Sequence, residues 1–325
     1  MSDTIESLRR KIDSAGDLGG VVRTMKALAA ANITQYERAV SSLEDYYRAV
    51  QWGLGACLAA TGAAPTRKPT AVSAGKPKDP PAPTSAPAAP RDSGTPRQIP
   101  SPGKAIRRAH FIVFGSDQGL VGQFNQVVAD FAVAHARQQA IDTKIWAVGE
   151  RIEPHLADAG YPPERLFFVP GSVQAITPLI TQLLTEIEPH VSGGAAEQVI
   201  IFYNRPLTGA QYEPVSQCIL PVDDVLHRGD PATHWPSGNL PEVMNERAAT
   251  LQALIGEYLF VSLFKACAES LASENASRLA AMQGAEKNIR DLLEDLNLSY
   301  HHLRQDSIDA ELFDVIAGAA ATQGQ

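Results

Sequence analysis

Apolar residues recur at alternating steps of three and four along the first sixty residues. One position of the repeat takes Ile5, Ile12, Gly19, Lys26, Ile33, Val40, Tyr47 and Leu54; the other takes Leu8, Ala15, Val22, Ala29, Tyr36, Leu43 and Val50. A period of 3.5 held for that long keeps one stripe turned toward a partner helix, the pattern of a left-handed coiled coil and not of an ordinary amphipathic surface helix. Gly19 and Lys26 are the two exceptions. Asp3 followed by Glu6 has the spacing of a capping box, so a helix is expected from about Asp3 to Ala60. Gly16, Gly19 and Gly20 each cost roughly 1 kcal/mol of helix propensity relative to alanine. They mark a slim, flexible or tightly packed section.

The other end of the chain carries a second long helical pattern. No proline follows Pro241, and only Gly256 and Gly284 interrupt the helix formers down to Gly318. Asn239 and Glu242 have capping-box spacing around Leu240-Pro241, so the helix is expected to start there. Unbroken, it spans on the order of 100 Å. Its first half is apolar on more than one face, through Leu251, Leu254, Ile255, Tyr258, Leu259, Val261, Leu263, Phe264 and Cys267, and should pack on a neighbouring domain. Its second half narrows to a seam of Leu279, Met282, Ile289, Leu293, Leu296, Tyr300 and Leu303, broken only by Glu286. Two matching stripes at opposite ends of one chain predict an antiparallel intramolecular coiled coil.

Between the two ends the period changes. AHFIVFG, KIWAVG, RLFFVP and EQVIIFYNR read as short buried strands, alternating with helical stretches such as QFNQVVADFAVAHARQQ and SVQAITPLITQLLTEIEP. YEPVSQCILPV reads as an edge strand. That alternation predicts βαβ units and a mostly parallel, doubly wound sheet. The expected fold class is α/β: a Rossmann-like base domain carrying a long antiparallel coiled coil. The expected boundaries are 1–61 for the N-terminal helix, 62–104 for an insert, 105–236 for the base, 239–320 for the C-terminal helix and 321–325 for a tail. The insert holds proline after proline and almost no large apolar residue, so it is expected to be disordered or polyproline-like. A tolerated insertion is the simpler reading, a regulatory or docking arm the other.

Composition narrows the function classes. The formal charge is −8, which argues against a non-specific nucleic-acid binder. Cys57, Cys218 and Cys267 lie far apart, without a CxxC pair, and point to neither a disulfide framework nor a zinc site. The charged start MSDTIESLRRK does not read as a signal peptide, and the apolar runs such as FVSLF look too short to span a bilayer, so direct membrane insertion is not expected. The loop FGSDQGLVGQFN stands at a strand-to-helix turn, where an anion can be held. It lacks the GK[ST] ending of a P-loop and the GxGxxG spacing, and is read as a tight turn needing glycine. His301 and His302 are adjacent on a helix and cannot chelate from one face, and no GxSxG elbow occurs. No catalytic, cofactor-binding or metal residue is assigned.

Three stretches together carry a family likeness: VVRTMKALAAANI at Val21–Ile33, GSDQGLVGQFN at Gly115–Asn125, and SLASENASRLAAMQGAEKN continuing into LNLSYHHLRQDSIDAELFDVIAGAAA. In the last, Ser273, Glu274, Ala276, Arg278, Met282, Asn288, Leu298, Tyr300, Arg304, Gln305, Ile308, Glu311, Leu312 and Gly318 fall on the pattern. The chain resembles the γ subunit of F-type ATP synthases, the central rotor shaft. The resemblance implies a subunit that catalyses nothing itself and couples ion translocation to ATP synthesis or hydrolysis by turning inside a ring of α and β subunits. Its further implied partners are the ε subunit and the c ring, and its implied place is peripheral, on the cytoplasmic face of the inner membrane. By resemblance, Met25, Lys26, Arg304 and Gln305 are candidates for contact with a β-subunit catch loop. Lys26 has a second reading, as a polar residue that sets register within the coil. Departures from the family pattern (the near-neutral NITQYERA, Gln118, Val121, Gln283-Gly284, and a long insert without a cysteine pair) point to a divergent bacterial branch. The alternatives are a non-rotary coiled-coil adaptor with an α/β head, and an enzyme that binds a small ligand or nucleotide on the sheet.

Overall fold

A computed structural model of the chain describes residues 4–59, 108–139, 141–192, 197–207, 211–222, 241–243 and 246–323. The Pro-rich stretch 62–104 and the capping residue Asp3 lie outside them. Helix α1 is one continuous element, Ile5–Ala59. Its described cap is Thr4, whose Oγ1 accepts the Ser7 N–H at 3.3 Å while its carbonyl accepts the Leu8 N–H; a threonine here satisfies one of the free N–H groups of the first turn. The C-terminal helix, α5, runs without a break from Arg247 to Gln323. It begins later than the Asn239–Glu242 spacing predicts: residues 241–243 are not helical, and the first bond joins the Thr250 N–H to the Glu246 carbonyl. Tertiary packing decides the matter, because the helix forms where its apolar face meets the core.

The base is a five-stranded sheet of order β3-β2-β1-β4-β5. Its elements are β1 (Arg108–Phe114), α2 (Phe124–Gln139), β2 (Asp142–Val148), α3 (Glu153–Asp158), β3 (Arg165–Phe167), α4 (Ile176–Ser192), β4 (Glu197–Pro206) and β5 (Tyr212–Leu220). The first four strands of that order are parallel, and β5 closes one edge antiparallel to β4. The central strand β1 is buried on both faces, as a parallel strand covered by helices must be. Phe111 and Val113 face α2 with Val128, Ala132 and Ala136. Ile112 and Phe114 face the opposite layer, where α4 joins Leu54 of α1 and Tyr258, Leu263 and Cys267 of α5. The base is thus built around the roots of both terminal helices.

One expectation is corrected. Within α5 an 18-residue window is long and apolar enough, by length and composition, to cross a membrane. Alanines and cysteine between the larger residues conceal it when only runs like FVSLF are counted. Half of that window is buried inside the fold, which accounts for its apolar character.

Candidate functional site

The coil is antiparallel, as its cross-contacts show. Ile289 stands against Gly19, Glu286 against Lys26, Asn275 against Asn32, Glu257 against Tyr46 and Leu254 against Gly53. One repeat position of α1 is buried nearly throughout: Leu8, Ala15, Val22, Ala29, Tyr36 and Val50, with Leu43 half-buried. The companion position, with Ile5, Ile12, Ile33, Val40 and Tyr47, is half-buried. On α5, Met282 is buried, and Leu279, Ile289, Leu293, Leu296, Tyr300 and Leu303 are half-buried. The graded burial reflects a two-helix coil, in which one side of each stripe still touches water.

Each flaw in the stripes is matched across the coil. Gly19 lies under Ile289, whose Cγ2 stands 3.4 Å from where a β-carbon would be. Lys26 Nζ donates to Glu286 Oε2 at 2.6 Å, with both side chains partly covered. That hydrogen bond, with the charge behind it, holds the Glu286 carboxyl below the usual carboxylate range.

Where the coil enters the base, the winding of the sheet reverses between β1 and β4. Doubly wound sheets open a crevice at that point and commonly bind ligands there. Here α5 occupies it. Ser273 Oγ donates to the Asn204 carbonyl at 2.8 Å, and Ser277 Oγ donates to the Val121 carbonyl at 2.6 Å. Asn204 Nδ2 in turn donates to the Phe124 carbonyl. Arg278 and Glu274 form an ion pair at 2.5 Å with both side chains under a tenth exposed. Asn275 Oδ1 accepts from Arg278 and from Asn32 of α1, so the network also ties the two helices together. Burial pushes the Glu274 carboxyl up, and the Arg278 charge opposes the shift. Burial pushes the Tyr36 hydroxyl, across the coil, up to about 12.

The loop after β1 is consumed by the same junction. Asn125 accepts the Ser116 N–H and donates to Ser116 Oγ. Asp117 accepts the N–H groups of Glu150 and Val169, clamping the ends of β1, β2 and β3. A carboxylate on those N–H groups leaves them no role for phosphate. Glycine is required at Gly115, where a β-carbon would come within 2.6 Å of Ile152, and at Gly122, whose φ is +57°. Among the described residues no group of three or more His, Cys, Asp or Glu is placed to hold a metal.

The four residues proposed to touch a partner fall at two levels. Met25 is half-buried beside Lys26, while Arg304 and Gln305 are exposed. With Glu286 level with Lys26, the 304–305 pair stands about 27 Å further along α5. Sequence reasoning did not find the Glu274–Arg278 pair or the Asp117 clamp; the i, i+4 spacing within SENASR was the one available signal.

The whole chain compares closely with one family. The ATP synthase profile matches residues 4–322. The chain belongs to the ATP synthase γ family. The ATP synthase gamma chain of Pelotomaculum thermopropionicum is 24% identical over 325 residues, covering 98% of this chain and 99% of its own length. That of Moorella thermoacetica is 22% identical, with 98% of each chain covered. Among solved structures, the rotor of the Euglena gracilis mitochondrial ATP synthase aligns over 94% of this chain with a TM-score of 0.54 at 16% identity. The central stalk of the Tetrahymena thermophila enzyme aligns over 82% with a TM-score of 0.53 at 18% identity. These likenesses show the fold: two long terminal helices on an α/β base. As a γ-family chain the protein is a subunit of a membrane-associated enzyme complex.

Proposed function

We propose that this γ-family chain is the central-stalk rotor of a rotary F-type ATP synthase, turning inside a ring of α and β subunits and resting on the ε subunit and the c ring. The observation that carries the reading is the unequal length of the two helices. At the observed register Ile5 of α1 stands opposite about residue 303 of α5, and α5 continues to Gln323. The shaft is therefore a helix pair that narrows to a single helix about 30 Å long. That tip exposes Ile308, Leu312, Phe313, Val315 and Ile316. An asymmetric shaft presents a different surface to each of three identical subunits and biases their conformations differently at any one angle. A shaft that met all three alike would shift no populations among them.

On this reading the chain performs no nucleotide chemistry. Arg304 and Gln305 lie where the pair becomes one helix and are the polar groups offered to a β-subunit loop at that level; Met25 serves the lower level, and Lys26 is committed to Glu286. The working place is the cytoplasmic face of the inner membrane. Co-expression with candidate α and β subunits tests the proposal. A rotor co-purifies at one copy per ring and makes ATP hydrolysis cooperative. Recovery of the chain without a ring, or with a stoichiometric coiled-coil partner, would favour an adaptor and overturn it.

A further inference from the structure

A cleft of about 220 Å³ opens between α1, the end of β4 and α5. Its polar lining is Glu37, Ser41 and Glu44 from α1, Arg205 from β4 and Glu269 from α5. Arg205 is engaged by Glu213, which leaves the cleft acidic. Glu269 is the unusual member. It is 7% exposed, Oε1 lies 3.8 Å from the Lys265 ammonium, and Oε2 makes no hydrogen bond. Burial pushes this carboxyl up, against the pull of Lys265 and a hydrogen bond from the Tyr203 hydroxyl to the same group. A buried carboxylate oxygen without a donor costs free energy until a donor reaches it. A cationic side chain entering between Glu37 and Glu44 would supply one.

The chain carries such cations in the segment that joins α1 to β1. Residues 60–107, between the end of α1 and the start of β1, hold Arg67, Lys68, Lys76, Lys78, Arg91, Arg97, Lys104 and Arg107 against Asp79 and Asp92. Their net charge is +6. The whole chain has 28 Lys and Arg against 36 Asp and Glu, so the remainder holds 20 against 34, a net charge of −14. The described residues on either side of it are Ala59, which ends α1, and Arg108, which begins β1. Glu44 lies fifteen residues before Ala59 on α1, about 22 Å along the helix, well within reach of a tether that long. Covalent attachment raises the effective concentration of its cations at the cleft to about the millimolar range. We propose that the acidic cleft is a docking site for a Lys or Arg side chain of the chain's own basic, Pro-rich insert. The inference is independent of the rotor reading.

The test is zero-length carbodiimide coupling of the full-length chain, alone and in its complex, followed by peptide mapping. Insert lysines (Lys68, Lys76, Lys78 or Lys104) should couple to Glu37 and Glu44 about fivefold more than to Glu294 and Asp295 on the distal coil. The preference should vanish in Glu269→Gln, which keeps the two coupling sites, and at 0.5 M salt. A second variant avoids any change to the core. In Glu37→Gln/Glu44→Gln, both positions being exposed, trypsin should cut after Lys78, Arg91 and Arg97 about fivefold faster than in the unaltered chain. Coupling spread evenly over acidic residues, coupling to another subunit, or cleavage rates equal in the two proteins would each overturn the proposal.

Discussion

Each terminal helix carries one charged residue inside its apolar stripe, Lys26 and Glu286, and the two side chains lie 2.6 Å apart. A register slip by one heptad would set both charges against apolar neighbours, so the pair pins the alignment of the coil even if it adds little net stability. The Glu286 carboxyl is held low by Lys26, so its contribution is present at neutral pH and is lost as pH falls through the carboxylate range. The protection of α1 amides near Lys26 against hydrogen exchange, relative to their intrinsic rates at each pH, should therefore fall on acidification in the native protein and much less in Glu286→Gln; equal pH dependence would remove the pin. The Glu274–Arg278 pair is a different case because it is fully desolvated. Glu274→Ala leaves a buried guanidinium unpaired and should cost about 3–5 kcal/mol in denaturant unfolding. Replacing both residues by apolar ones of similar volume, as in Glu274→Leu/Arg278→Met, should recover most of that loss. If the double variant were no better than the single one, the hydrogen bonds to Asn275 and not the charges would be what the junction needs.

At the level of elements, the two long helices, their pairing and the alternation of strands and helices in the base were legible because each rests on a periodic pattern. Burial at every seventh residue from Leu8 to Val50, Leu43 alone being half-buried, is the physical counterpart of a period written in the sequence. The junction was not legible. Ser273, Ser277 and Asn204 are polar residues in an otherwise apolar setting, and nothing local reveals that α5 fills the crevice between β1 and β4. The start of α5 was misplaced for a related reason: a capping pattern is local, whereas the helix begins where packing supports it. Gly19 shows the opposite situation, a residue that looks like a flaw and is a fit. Gly19→Leu would press into Ile289 and should cost about 1–3 kcal/mol as an overpacked contact. Adding Ile289→Ala opens room opposite and should restore part of the stability; a loss that is simply the sum of the two singles would refute the contact.

For the molecule as a whole, the position of the insert matters more than its length. Its two ends leave α1 at Ala59 and enter β1 at Arg108, both in the base, while the coil's paired tip at Ile5 lies about 80 Å from Ala59 along α1. On the rotor reading, torque passes through the tip, the paired coil and the Ser273–Arg278 junction into the sheet. None of these elements contains the insert, and a loop outside that path adds mass and charge without changing torsional stiffness. Replacing Pro65–Pro102 with a short Gly/Ser linker should therefore leave one copy per ring and keep cooperative ATP hydrolysis within about twofold, because loop length changes closure entropy only slowly. The same replacement should abolish the coupling of insert lysines to Glu37 and Glu44. Loss of assembly on shortening the insert would mean that it contacts a partner subunit, and that the path of force through the base is wider than the two helices and the crevice they fill.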